Sequence, residues 1–307
     1  MPVTHLVKRA LRILMGVIVA ASICVPLFSY WTDVRAAFVH LKFGHLSVAF
    51  ISMVASFLWL AWCWHRLAKP GGFQPGMRQA LFLYSQTALI RYIPGNIFGL
   101  AAKALMMRRW GVRPQQAMYL MVYESGVLLW SGMITFFLVS FLIPETALLR
   151  WLIGILCFVA ALFLFYPMRF VQLLYWIKPS LSVQIVPDQS RVTTVLTYLG
   201  YWALTGLSFA YGITAAGESI PHHLLQSIGI FAVSWVIGFL VLITPSGVGI
   251  REWCMVLLLQ QSIPIAIAIT IAFVARIIFI FSELVAYGLT YLIVFISSSD
   301  VRAHDNI

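Results

Sequence analysis

The sequence is poor in charge. Charged residues make up 9% of its 307 positions, whereas a soluble domain carries about 25%. So few charges cannot cover the surface of a soluble protein of this length, and the same scarcity excludes a disordered chain and a coiled coil. The four cysteines lie in apolar stretches without metal-ligand spacing. We interpret them as packed apolar residues, and we expect no metal and no other cofactor.

What the sequence does have is apolar residues, at 62% of all positions and with a mean hydropathy of +0.96. Runs of about 20 apolar residues are long enough to cross a bilayer as helices. The run at 11–30 follows Lys8, Arg9 and Arg12, and we interpret it as an uncleaved first span rather than a signal peptide. Further spans are predicted at 46–68, 114–143, 147–166, 192–216 and 264–296.

Two other apolar regions, 77–112 and 223–262, are interrupted by proline and glycine. These residues end helices, and freed backbone groups are tolerated at membrane depth only inside protein or along a watery cavity. Each region is therefore interpreted as a re-entrant hairpin of two half-helices, although two full spans in each place would suit the charge distribution equally well. The predicted break residues are Pro94 and Gly95 in the first region, and Pro245, Gly247 and Gly249 in the second.

Each hairpin is followed by a long apolar helix that carries an ionisable residue near its middle. The first pair is 77–112 with 114–143, and the second is 223–262 with 264–296. The two hairpins enter the membrane from opposite sides, which predicts an inverted repeat of the kind that transporters use. Chance similarity between apolar sequences is the alternative. The predicted fold is a single all-α polytopic membrane domain over 1–307, with about six to eight transmembrane helices and two re-entrant broken-helix hairpins.

The net charge of +11 is explained by topology rather than by nucleic-acid binding. In the predicted topology, most of the 20 basic residues lie in loops on one side of the membrane. Basic loops stay in the cytoplasm. We therefore expect both termini to be cytoplasmic, in an integral protein of the bacterial inner membrane.

Seven ionisable residues fall at predicted membrane depth, where exposure to lipid would cost roughly 20 kcal/mol in total. They must pair, line a cavity or reach an interface. The bases outnumber the acids, and half-helix N-termini add partial positive charge, so we expect a site for an anion such as phosphate. A purely structural network of ion pairs is the alternative. The expected anion site contains Arg91, Lys103, Arg251 and Arg276 with the helix-capping residues Asn96 and Ser246, and the expected charge-pairing, proton or amine site contains Glu124, Glu252 and Glu283.

The second break, Pro245 to Glu252, resembles the signature Pro-x-Gly-x-Gly-x-x-Glu of the lysylphosphatidylglycerol synthase transmembrane-region family, also described as flippase-like. Pro94-Gly95-Asn96 with Lys103 resembles the first conserved block of that family, and Arg276 falls where the family has an arginine. The resemblance covers roughly 10–296. It implies a lipid flippase or lipid-carrier fold, in a stand-alone member without the aminoacyl-transferase domain, whose relatives serve envelope or glycan assembly.

The leading functional prediction is a transporter that moves an anionic lipid between leaflets, either a phospholipid or a glycosylated polyprenyl phosphate. No nucleotide-binding motif is present, so an ion gradient, the substrate gradient or a partner must drive it. An intramembrane enzyme is disfavoured because no catalytic triad or metal set is visible. The alternative is a membrane scaffold for a glycosyltransferase or lipid-modifying enzyme. Expected partners are membrane lipids, a lipid-linked sugar and such an enzyme.

Overall fold

A computed structural model describes residues 31–69, 73–88, 90, 97–142, 147–165, 191–219, 223–241 and 247–304. Several predictions concern residues that lie outside these ranges. They are the first span at 11–30 and the break or site residues Arg91, Pro94, Gly95, Asn96, Pro245 and Ser246.

The described residues form helices joined by turns, with no strand among them. This confirms the all-helical prediction at the level of secondary structure. A 3-10 turn, Ser140–Leu142, extends one of the long helices. In chain order the helices are α1 Trp31–Val39, α2 Phe43–Ala68, α3 Met77–Ala88, α4 Ile97–Arg109, α5 Pro114–Val139, α6 Ala147–Phe165, α7 Arg191–Ala215, α8 His223–Leu240, α9 Ile250–Leu259 and α10 Ile265–His304.

Among the described residues, three helical segments are long and apolar enough to cross a membrane: Phe43–Ala68, Pro114–Leu142 and Ile265–Ile293. The 26 residues of α2 rise about 39 Å, more than the roughly 30 Å of a hydrocarbon core. The three helices fit an integral membrane protein. The predicted spans at 147–166 and 192–216 are also helices, α6 and α7, but the total of six to eight spans remains a prediction.

The outer surface of α6 is apolar. Leu148, Trp151, Leu152, Ile155 and Phe158 are all exposed. Their spacing of three or four residues places them on one side of the helix. A soluble monomer rarely exposes a continuous stripe of this kind, whereas acyl chains cover such a surface at no cost.

Two groups of four helices pack in matched ways. The first unit is α2 to α5 (Phe43–Val139), and the second unit is α7 to α10 (Arg191–His304). In each unit the first helix contacts the second and the fourth, the second contacts the third, and the third contacts the fourth. Each contact inside one unit therefore has a counterpart inside the other.

The contacts between the two units follow the same correspondence. Helix α2 packs along α7, its counterpart. Helix α3 contacts α10, and its counterpart α8 contacts α5. Likewise α2 contacts α10, and α7 contacts α5. Exchanging the two units thus leaves the pattern of helix packing unchanged.

The α2–α7 contact is tight and specific. Trp59 Nε1 donates a hydrogen bond to the carbonyl oxygen of Thr197 at 2.9 Å, and the Cys63 thiol reaches the same oxygen at 3.4 Å. Gly200 permits this approach, since a Cβ atom there would lie 2.8 Å from the Trp59 ring. Cys63 itself is fully buried, as expected for a packed apolar residue.

The second predicted break forms a turn that needs glycine at two positions. Gly247 has φ +69° and Gly249 has φ +87°, which disfavours side chains with a Cβ atom. Gly247 also lies against α8, where an added Cβ would be 2.8 Å from the carbonyl oxygen of Gly238. Gly249 then caps α9, and its N–H donates to a Glu252 carboxylate oxygen at 2.6 Å. The turn therefore fixes where α9 begins.

Gly247→Ala should lower the free energy of unfolding by about 1–3 kcal/mol, because it combines a disfavoured φ with a backbone clash. Gly212→Ala is the matched control, since that helical glycine has nothing within 4 Å of an added Cβ. The control should be neutral or stabilising by roughly 0.5–1 kcal/mol. Thermal unfolding in detergent measures both, and equal stability of the two variants would contradict the described turn.

Candidate functional site

A cavity of about 160 Å³ lies where the two units meet. Every helix of both units contributes to its wall, so it belongs to neither unit alone. Its wall mixes apolar, aromatic, hydroxyl and ionised side chains. The lining residues are Phe57, Leu58, Leu60 and Ala61 of α2, Leu81, Tyr84, Ser85 and Thr87 of α3, Lys103 of α4, Glu124, Ser125 and Leu128 of α5, Tyr201 of α7, Trp235 and Phe239 of α8, Arg251 of α9, and Glu283, Ala286, Tyr287 and Thr290 of α10.

Lys103 and Glu124 form an ion pair on the wall of the cavity. The ammonium nitrogen lies 3.0 Å from Oε1 and 3.1 Å from Oε2 of Glu124. It also lies 3.8 Å from the centre of the Tyr84 ring, close enough for a cation–π interaction. Glu124 is only 4% exposed. A carboxylate so deeply buried is stable in its charged form only with such a partner.

Arg251 is the second base on the cavity wall, and it is 4% exposed. Its guanidinium carbon lies 4.4 Å from the ring centres of both Phe231 and Phe279, so the cation is held between two aromatic faces. Arg251 follows the glycine turn directly, and its Cβ packs where a side chain at Gly238 would otherwise lie. The turn therefore determines where this cation is placed.

Glu283 is the second acid on the cavity wall, and it is 2% exposed. It shares a face of α10 with Tyr287 and Thr290, which lie four and seven residues further on and also line the cavity. Its burial excludes a role as a solvated surface residue.

The four cavity charges are distributed evenly between the units. In each unit the short third helix supplies a base, Lys103 from α4 and Arg251 from α9. The long fourth helix supplies an acid in each case, Glu124 from α5 and Glu283 from α10. The matched packing of the units thus extends to the chemistry of the site.

Arg276 and Glu252 lie beside the cavity rather than on its wall. They contact each other, with Nη1 of Arg276 3.4 Å from Oε1 of Glu252. This pair joins α10 to the start of α9, where Glu252 also accepts the Gly249 hydrogen bond. The sequence suggests that Arg276 and Glu283 face one cavity, but only Glu283 lines it. Two helical turns separate them by about 10 Å along the axis.

The structure brings together four of the predicted site residues, Lys103, Glu124, Arg251 and Glu283. The predicted anion-site residues Arg91, Asn96 and Ser246 lie outside the described residues. The aromatic and hydroxyl lining was not predicted. Helical spacing from Glu283 would have found Tyr287 and Thr290, whereas nothing in the sequence distinguishes Tyr84, Tyr201 or Trp235 from the many other aromatic residues.

Within the described ranges, no group of histidine, cysteine, aspartate and glutamate side chains could hold a metal ion. The cavity wall offers two bases, two acids and surrounding hydroxyl and aromatic groups. Such a wall can hold a phosphate on the bases while the acids and hydroxyls accept or donate hydrogen bonds to the rest of a head group.

The chain matches no protein-family model and no curated protein. The resemblance to the flippase-like family therefore rests on the residues already named, of which Gly247, Gly249 and Glu252 form the turn that places Arg251.

Lys103→Met should lower the free energy of unfolding by about 3–5 kcal/mol, because it leaves the Glu124 carboxylate buried without its partner. The double variant Lys103→Met with Glu124→Gln removes both charges and should recover most of that loss. Thermal unfolding of the purified variants measures the coupling. A double variant as unstable as Lys103→Met would show that the two side chains do not stabilise each other.

Proposed function

We propose that the protein is a lipid transporter that moves an anionic lipid, either a phospholipid or a glycosylated polyprenyl phosphate, between the leaflets of a membrane. One observation carries this proposal. Two bases and two acids, matched between the two units, line one cavity, and three of them (Glu124, Arg251 and Glu283) are buried while Lys103 is half-buried. Apolar helices surround the cavity, and in this proposal the cavity lies within the bilayer.

The cavity favours a binding site over a purely structural network of ion pairs. Charged side chains inside a membrane are expensive, and they commonly mark a substrate or ion pathway. A network that only held helices together would be expected to close up, with its charges in mutual contact. Here Lys103 and Glu124 are in contact, yet the four charged side chains still line about 160 Å³ of space. That volume suits a small polar group, because pockets that enclose a whole drug-sized ligand measure about 300–1,000 Å³.

In the proposed mechanism Lys103 and Arg251 neutralise the phosphate of the lipid, while its acyl or prenyl chains remain in the bilayer. Arg276 is assigned a different role from the one that the sequence suggests. It pairs with Glu252, and the pair holds the turn that positions Arg251. Arg91, Asn96 and Ser246 keep their expected role in anion binding as a prediction.

The matched packing of the units supports the inverted-repeat hypothesis. In such transporters, one repeat rocks against the other around a site at their interface. The cavity lies at that interface. Together with the glycine turn, this arrangement supports membership of the flippase-like family. From the distribution of basic residues we further propose that the protein lies in the bacterial inner membrane with both termini in the cytoplasm.

Native mass spectrometry of the protein, purified in mild detergent, tests the proposal. We expect a phosphate-bearing lipid to stay bound to the wild type. Arg251→Met should reduce its occupancy about tenfold or more, because a hydrogen bond to a charged group contributes about 1.5–3 kcal/mol.

Arg150→Met is the matched control. Arg150 binds the Ser140 carbonyl oxygen at 2.7 Å and lies over the Phe141 ring, away from the cavity. Its loss should leave lipid occupancy unchanged. Retention of the same lipids at the same level by Arg251→Met would contradict the proposed site and favour the scaffold alternative.

A further inference from the structure

The Lys103–Glu124 ion pair on the cavity wall bears on the energy source for transport. Glu124 presents both carboxylate oxygens to the Lys103 ammonium group. While this pair is closed, Lys103 directs its charge toward Glu124 rather than toward a ligand. Neutralising Glu124 would leave the ammonium group supported by the Tyr84 ring and available to a phosphate in the cavity.

Two tyrosine side chains lie near this pair. The hydroxyl oxygens of Tyr84 and Tyr198 are buried and have no hydrogen-bond partner among the described residues. Tyr84 lines the cavity beside Lys103, and Tyr198 lies within electrostatic range of Glu124. Buried hydroxyls are nearly always hydrogen-bonded to protein or to ordered water. Glu124 itself lines the cavity, so a proton that enters the cavity has direct access to its carboxylate.

Among the described residues, a small set of other titratable groups surrounds Glu124. Helix α2 contributes Cys63 and helix α5 itself contributes Tyr123, while Lys103 and Tyr198 come from α4 and α7. Across the cavity lie Arg251 and Glu283. Helix α8 has no acidic or basic side chain after its first residue, His223. Helix α6 contributes Arg150, which binds the Ser140 carbonyl oxygen beyond the end of α5, and Cys157, whose carbonyl oxygen accepts a hydrogen bond from Trp130.

Glu252 is a weaker candidate for a proton site. Its two oxygens bind Arg276 and the Gly249 N–H, respectively. Protonation there would loosen the turn rather than free a base at the cavity wall.

We propose that Glu124 is a proton-binding site that couples lipid movement to a proton gradient, which presupposes the proposed transport function. The carboxylate of Glu124 takes up one proton and becomes a carboxylic acid. Lys103 remains an ammonium ion, turns from Glu124 and binds a phosphate oxygen of the head group. After the rearrangement the proton and the lipid leave on the other side, and the Lys103–Glu124 pair closes again. One proton thus accompanies one anionic head group.

Proteoliposomes of phosphatidylethanolamine and phosphatidylglycerol, doped with a fluorescent short-chain phosphatidylglycerol, test this coupling. The membrane potential is clamped, a pH difference is imposed, and the leaflet distribution of the probe is read by quenching from outside. With one proton per lipid, each pH unit should produce about a tenfold asymmetry between leaflets. Reversing the gradient should reverse the asymmetry.

Glu124→Gln should still exchange the probe but leave it evenly distributed, because glutamine cannot take up or release the proton. Glu218→Gln is the matched control, since Glu218 lies beyond the end of α7 and outside the cavity lining. It should retain the asymmetry of the wild type. If Glu124→Gln does not fold, Glu124→Asp replaces it. This variant keeps a titratable carboxyl group and should keep the asymmetry, and exchange without asymmetry in it would contradict the assignment.

The outcomes separate this inference from the proposed function. Wild-type exchange that ignores the pH difference would overturn proton coupling and leave transport intact. Persistent asymmetry in a folded Glu124→Gln variant would overturn the assignment to Glu124. Absence of any exchange by the wild type would contradict the proposed transport of phospholipids.

Discussion

The cost of holding charge inside an apolar helical bundle governs the arrangement of this protein. Lys103, Glu124, Arg251 and Glu283 are each largely withdrawn from solvent. Each unpaired charge in such surroundings would cost several kcal/mol. The Lys103–Glu124 pair meets this cost by direct contact. For Arg251, cation–π contacts with Phe231 and Phe279 offset part of this cost. The positions of these two rings therefore contribute to the stability of the buried charge.

The packing of the helices serves the same requirement. Two four-helix units with matching contacts place a base from each short helix and an acid from each long helix around one cavity. Glycine permits the close approaches on which this depends. Gly200 lets α2 and α7 meet, and Gly247 with Gly249 forms the turn that starts α9. The Arg276–Glu252 ion pair then ties that turn to α10.

The long helices could be predicted because apolar runs and helix breakers are local signals. The spans predicted at 46–68 and 264–296 correspond to α2 and α10, and Pro114 begins α5 as proline at a helix start should. The pairing of charges could not be predicted. Lys103 and Glu124 are 21 residues apart on different helices, and their contact depends on how α4 turns back against α5. The aromatic lining could not be predicted either, because 15% of the residues are aromatic and no sequence pattern separates those that line the cavity.

The central claim is that an anionic head group enters the cavity between the two units. Photo-crosslinking tests it most directly, with vesicles of phosphatidylethanolamine that contain a phosphatidylglycerol bearing a photoreactive group on its head group. Adducts mapped by peptide mass spectrometry should fall on cavity-lining residues of α3 and α10, such as Tyr84 and Tyr287, and excess unlabelled phosphatidylglycerol should suppress them. Adducts confined to outward-facing residues such as Trp151 and Phe158, with none in the cavity, would contradict the account.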